Sequence, residues 1–224
     1  MNDPGVQWRR VTVVGCGLIG ASFALALRRA VPHVRISGWD ASPLALNEAL
    51  QRGAIDDVDT SFSNRSVLTS ELIYLAMPVA QIIAFLRDYG PGIPANTIVT
   101  DAGSTKLEIC QAAQQHLSSG SEFIGGHPIA GSHLTGPLHA RAELFETAAY
   151  VLTPERESEA LESLAHIVRK LGACVRQMDA LEHDRAMAIV SHLPQLISSA
   201  LAATVNHRDD AAALEQLVAQ ATAT

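Results

Sequence analysis

The stretch Val11-Thr12-Val13-Val14-Gly15-Cys16-Gly17-Leu18-Ile19-Gly20 decides how this chain is read. Val11 to Val14 is a short β-branched run that ends in glycine, the pattern of a buried strand. Gly15 to Gly20 fits G-x-G-x-x-G, and a helix is expected from about Leu18 to Arg29, with Ile19, Phe23 and Leu27 on one face. Taken alone the match is weak, because glycine-rich turns are common. Here it has its required context: a strand before it, a helix after it, and Asp40 about twenty residues on. Gly15 permits the tight turn, Gly17 lets backbone approach a pyrophosphate, and Gly20 lets the helix pack closely on the strand. The helix N-terminus then offers free N–H groups and a partial positive charge to phosphates.

Asp40 ends the second expected strand, Val34 to Trp39, and is the expected ribose partner. Its carboxylate would accept hydrogen bonds from both hydroxyls of an adenosine ribose and repel a 2′-phosphate, which selects NAD over NADP. The plainer alternative is that Asp40 only starts the turn before Ser42-Pro43, itself a good helix start. Cys16 has no neighbouring base in the sequence and reads as a small loop residue, not a nucleophile.

Working outward, strands are expected at Leu72 to Ala76, Thr97 to Thr100, Phe123 to Gly125, Tyr150 to Thr153 and Ala173 to Gln177. Helices are expected after Ser42 and ending before Gly53, from Val79 to Leu86, from Thr105 to about Leu117, and from Ser158 to Leu171. Thr105 and Glu108 have capping-box spacing. This alternation predicts an α/β fold, a Rossmann-type doubly wound, mostly parallel sheet covered by helices on both faces. From Asp179 onward Leu181, Met187, Val190, Leu196, Ile197 and Leu201 recur at helical spacing. The expected organisation is a dinucleotide-binding domain over 1–178 and a smaller, shortened all-helical domain over 179–224.

Composition narrows the function classes. The 224 residues carry a net charge of −7 and only 4% aromatics, which argues against nucleic acid or anionic membrane as a partner. Three scattered cysteines, Cys16, Cys110 and Cys174, are no disulfide framework and fit a reducing compartment. Residues Met1 to Arg10 lack an apolar signal region and the sequence reads as having no apolar run of membrane-span length, so the expected location is the cytoplasm.

Two segments lie at later strand ends. The first is Asp101-Ala102-Gly103-Ser104-Thr105-Lys106, where Thr105 caps the helix and leaves the Ser104 hydroxyl to a ligand. The second is Gly125-Gly126-His127-Pro128-Ile129-Ala130-Gly131-Ser132-His133, whose glycines and proline read as a fixed loop presenting His127, with His133 a second candidate. A third histidine lies in Ser191-His192-Leu193-Pro194, where proline breaks the helical ladder. No metal is expected. His127, His133 and His139 recur every six residues, which is no ligand spacing on a loop, and His183 and His192 point nearly oppositely on a helix.

These segments, with the glycine loop and Glu182-His183-Asp184, resemble the prephenate/arogenate dehydrogenase family of tyrosine biosynthesis, from Gly15 to about Ala200. The resemblance implies an NAD-dependent oxidative decarboxylation of prephenate to 4-hydroxyphenylpyruvate. His127 would accept a hydrogen bond from the ring hydroxyl and draw off its proton as hydride leaves for NAD, work that suits a neutral imidazole. Ser104 matches the family serine that bonds this histidine and the substrate hydroxyl, and His192 the family histidine that reaches the substrate from the helical domain. Ser132 and His133 fall on the substrate side. Leu18, Ile19, Met77, Pro78 and Gly103 join Gly15, Gly17, Gly20 and Asp40 on the cofactor side. A homodimer through the helical domain is implied as well.

The sequence departs from the family twice. His133 stands where relatives have an acid six residues past the catalytic histidine, and it is expected to favour a keto acid over an amino acid side chain. After Ala200 the chain turns polar and alanine-rich, and no residue matches the family arginine that binds a substrate carboxylate; Arg141 and Arg185 are candidate local substitutes, the plainer alternative being solvated surface arginines. Without a bidentate partner a charge-assisted contact of roughly 1.5–3 kcal/mol is lost. The alternative readings are an arogenate or modified-prephenate dehydrogenase, or a shortened NAD-binding protein with little catalytic activity.

Overall fold

The computed structural model describes residues 8–59, 69–131 and 134–206. β1 (Arg10–Val14) lies inside the sheet, as its β-branched run, buried from Val11 to Val14, requires, parallel to β2 (Arg35–Trp39) on one side and to β4 (Leu72–Leu75) on the other. Among the described residues eight strands run in the order β3-β2-β1-β4-β5-β6-β7-β8, with β3 (Asp57–Val58), β5 (Ile98–Asp101), β6 (Glu122–Pro128), β7 (Ala149–Pro154) and β8 (Cys174–Gln177). Every pairing is parallel except β6 with β7. The order reverses between β1 and β4, so a crevice opens there beyond the carboxyl ends of the strands.

Successive side chains of a strand point to opposite faces, and β4 makes both visible. Leu72 and Tyr74 join the core under α1 (Leu18–Ala30) and α5 (Glu159–Lys170), with Phe23, Leu27, Leu161 and Leu164. Ile73 and Leu75 join a second core under α3 (Val79–Tyr89) and α4 (Leu107–His116), with Ile82, Phe85 and Ile109. Helices on both faces and a largely parallel sheet are the expected fold class. The face of α1 is also as expected: Phe23 and Leu27 are fully buried and Ile19 packs beside them. α2 (Pro43–Gln51) starts at Ser42, whose Oγ accepts the Ala45 N–H at 3.3 Å, and it ends short of Gly53 at φ 68°.

Four readings need correction. β3 was not anticipated; two residues are too short to carry a period. The expected Thr105 cap does not form. α4 begins at Leu107, and Lys106 takes the cap position with no side-chain cap, its own side chain turned inward to Asp101. β6 runs to Pro128, so His127 lies within a strand and not in a loop. Pairing with β7, His127 opposite Val151, extends it past the end of β5. Finally, among the described residues the helical run Ala180–Thr204 is long and apolar enough, by length and composition, to cross a membrane. Polar residues such as Ser191, His192 and Gln195 interrupt it, so the sequence shows no unbroken apolar run there.

The chain divides into two compact units, 1–183 and 184–224. In the second, the π-helical turn Ala188–His192 leads into α7 (Leu193–Asn206). Pro194 has no N–H for the carbonyl one turn back, and the widened turn lies where that bond is missing.

Candidate active site at the carboxyl edge of the sheet

Because β1, β2, β4, β5 and β6 are parallel, the residues that follow or end them share one edge of the sheet. Gly15, Asp40, Met77, Pro78 and Gly103 are on that edge, and so is His127. Their sequence separations are large, yet the parallel topology gathers them.

The glycine loop meets its steric requirements. Gly15 has φ 91°, and a Cβ there would lie 2.4 Å from the Ala76 carbonyl oxygen and 2.9 Å from Met77 Cγ, so this turn and the end of β4 pack against each other. A Cβ on Gly20 would sit 1.9 Å from the Gly15 carbonyl oxygen. On Gly17 it would meet nothing within 4 Å. Close packing at Gly15 and Gly20 beside open space at Gly17 fits a phosphate group lying against that backbone. Gly17 is the N-cap of α1 and carries no side-chain cap, leaving the first N–H groups of the helix, those of Leu18 and Ile19 among them, toward the same space. These features fit a dinucleotide.

Asp40 does more than start a turn. Its Oδ2 accepts the Cys16 N–H at 2.8 Å and its Oδ1 the Ser42 N–H at 2.8 Å. One carboxylate ties the glycine loop to the start of α2, and it is half-buried at the crevice. The Cys16 thiol is wholly buried, and burial with the Asp40 charge beside it pushes its pKa up to about 12. It is no nucleophile.

The Asp101-to-Lys106 segment holds a pair to which the sequence reading assigned no role. Asp101 and Lys106 are both fully buried and ion-paired. Asp101 Oδ2 also accepts the Gly103 N–H at 2.7 Å, its Oδ1 accepts the Gly126 N–H at 2.9 Å, and Lys106 Nζ donates to the Gly126 carbonyl at 2.7 Å. The β5–β6 ladder ends at Thr100 opposite Ile124, and the ion pair takes over both backbone groups of Gly126. Gly126 immediately precedes His127, so the clamp sets where that histidine stands. A Cβ on Gly126 would lie 2.4 Å from the Asp101 carbonyl oxygen, which leaves room only for glycine. Ser104 is exposed in the turn between β5 and α4.

His127 is half-buried, and its Nδ1 lies 2.8 Å from Nε2 of the fully buried His183, the rings meeting edge-on at 75°. His183 belongs to α6 (Ala180–Met187). The sequence reading weighed it only as a metal ligand and missed this pairing. Its one signal was the Glu182-His183-Asp184 motif, since fifty-six positions separate the two rings. Ser132 and His133 lie outside the described residues, and His192 is half-buried in the π turn of the second unit. Arg141 and Arg185 are exposed, in the first and second units respectively. No group of three or more His, Cys, Asp or Glu among the described residues could hold a metal ion. A cleft of about 680 Å³ lies at the opposite edge, lined by residues such as Gln114, Ser121 and Arg156, and includes none of these site residues.

Residues 23–177 match the family profile described as prephenate dehydrogenase, nucleotide-binding domain, and residues 179–221 the one described as prephenate dehydrogenase, dimerization domain. The chain is 36% identical over 203 residues to the prephenate dehydrogenase of Bacillus subtilis, covering 89% of this chain and 54% of that one. It is 37% identical over 196 residues to the prephenate dehydrogenase of Lactococcus lactis, covering 86% and 53%. The crystal structure of prephenate dehydrogenase from Aquifex aeolicus in complex with hydroxyphenyl propionate and NAD+ superposes with a TM-score of 0.83 at 29% identity, covering 90% of this chain and 71% of that one. The chain thus spans about half the length of the curated relatives it matches. With the glycine loop, the Asp101 clamp and the His127 strand in one sheet, and both family profiles matched in order, the chain belongs to the prephenate dehydrogenase family.

Proposed function

We propose that this chain is an NAD-dependent prephenate dehydrogenase, converting prephenate to 4-hydroxyphenylpyruvate and carbon dioxide. The observation that carries this reading is the meeting, on one sheet edge, of a dinucleotide cradle and a histidine clamped on a strand. NAD, when bound, supplies the hydride acceptor. The turn at Gly15 and the close packing at Gly20 would bring the Gly17 backbone and the start of α1 against its pyrophosphate, and Asp40, Met77, Pro78 and Gly103 would complete its side of the crevice. His127 accepts a hydrogen bond from the substrate's ring hydroxyl and takes its proton, helped by Ser104. Loss of the carboxylate as carbon dioxide leaves an aromatic ring, which drives the reaction. Ser132, His133 and His192 contact the substrate, and Arg141 or Arg185 supplies a cation for its carboxylates. NADH production with prephenate, measured for this chain and for His127→Asn, tests the reading. Equal rates for the two would overturn the catalytic assignment. Faster turnover of arogenate than of prephenate would overturn the substrate and the role given to His133.

The helical unit is proposed to join a second copy of the chain. Ile189, Leu193, Ile197 and Leu201, one turn apart in succession, and Leu196 beside them are each at least half exposed. That stripe gives the membrane-length apolar run a second account, and the dimerization-domain match favours it. A dimer in sedimentation without detergent is expected; a monomer that partitions into vesicles would overturn it. The proposed compartment is the cytoplasm, supported by three free cysteines, one of them exposed.

A further inference from the structure

We infer that His183 is the positioning residue of His127, fixing its tautomer so that the bare Nε2 faces the substrate; this rests on the dehydrogenase reading of the site. Two ring nitrogens 2.8 Å apart must share one proton, one donating and the other accepting. His127 meets His183 through Nδ1, and its other ring nitrogen, Nε2, lies on the opposite edge of the ring. A base that takes a hydroxyl proton needs a lone pair there, so the proton of neutral His127 belongs on Nδ1, donated to His183 Nε2. Once Nε2 has taken the substrate's proton, the same Nδ1–H becomes a charge-assisted donor to His183. The pair cannot hold two extra protons, because two N–H groups would then face each other at hydrogen-bond distance.

Both rings are placed from one strand. His127 stands opposite Val151 of β7, next to the Gly126–Leu152 pair. The Leu152 carbonyl accepts the Met178 N–H at 3.2 Å, directly before the start of α6. Asp179 caps that helix, its Oδ1 accepting the Leu181 and Glu182 N–H groups at 2.8 and 3.2 Å, and its carbonyl accepts the His183 N–H at 2.9 Å. His183 therefore arrives on a short, hydrogen-bonded path from the strand that pairs with His127, and it is completely buried. An imidazole held this way serves to orient its partner ring.

The test reads the proton directly. The full chain is labelled with ¹⁵N-histidine, and long-range proton–nitrogen spectra at pH 8 separate protonated from bare ring nitrogens. The expected result is His127 with Nδ1 protonated and Nε2 bare. His127 in the opposite tautomer would overturn the proposal, whether or not the chain turns over prephenate. In His183→Leu the tautomer of His127 should relax to the mixture of a free imidazole. With it kcat should fall about 100-fold while KM for prephenate stays within about twofold. His183→Gln, whose side-chain oxygen falls where Nε2 stood, should restore the tautomer and much of kcat. An unchanged tautomer and unchanged kcat in His183→Leu would refute the role. No turnover of prephenate by the parent chain would instead sink the dehydrogenase reading and leave the spectrum to decide the pairing.

Discussion

Replacing Lys106 by methionine tests whether the buried ion pair organises the site. Methionine keeps most of the stem's volume and removes the ammonium. Asp101 then remains fully buried, still accepting from Gly103 and Gly126 at 2.7 and 2.9 Å, with its cation gone. The Gly126 carbonyl loses the donor that stood 2.7 Å away. Removing one member of a buried pair costs about 3–5 kcal/mol, because the charge left behind is neither solvated nor paired. For a unit of this size each kcal/mol lowers Tm by about 2–4 °C, so Lys106→Met should melt about 6–20 °C below the parent. Thermal unfolding followed by far-ultraviolet circular dichroism measures it. The double variant Asp101→Asn/Lys106→Met removes the stranded charge and keeps an acceptor for Gly126, so it should recover about 2 kcal/mol of the loss. A Lys106→Met protein within about 1 kcal/mol of the parent would refute the argument. So would a double variant no more stable than the single one.

Gly17→Ala should leave Tm within a degree or two and weaken NAD binding by about tenfold or more, since its Cβ enters only open space, whereas Gly20→Ala should cost about 1–3 kcal/mol of stability as well. Calorimetric titration with NAD beside a melting curve distinguishes them, and equal stability losses would refute the steric reading. Asp40→Ala strands the Cys16 and Ser42 N–H groups, so a loss of about 1–2 kcal/mol should accompany weaker NAD binding and a smaller preference over NADP; an unaltered preference would remove Asp40 from the ribose site. Cys16 should resist iodoacetamide at pH 8, where a thiol of pKa about 12 is ionised in only about one molecule in ten thousand, while exposed Cys174 reacts. Mass spectrometry of timed digests checks the order, and labelling of Cys16 at the Cys174 rate would contradict it.

Readings carried by a few consecutive residues agree with the structure. The turn at Gly15 needs a positive φ, the packing at Gly20 needs a missing Cβ, and the Ser42-Pro43 start needs a cap and a fixed φ. Each condition is met or broken within one turn of chain, so residue type alone reveals it. The same holds for the strand–helix alternation and for the face of α1 that carries Ile19, Phe23 and Leu27. Thr105 marks the limit of such reading. Its spacing to Glu108 is correct for a capping box, but the buried pull of Asp101 on Lys106 delays the helix and the local rule loses.

What this sequence determined by itself, then, is the nucleotide cradle and the class of sheet that carries it, because both are written in short-range sterics and periodicity. Only the tertiary structure decided how the chemistry is held. It put His127 in a strand, clamped Gly126 with a buried ion pair, and brought His183 to 2.8 Å from across fifty-six positions. Those contacts join elements that no local period relates, and they exist because a parallel sheet with one antiparallel pairing returns distant segments to the same edge.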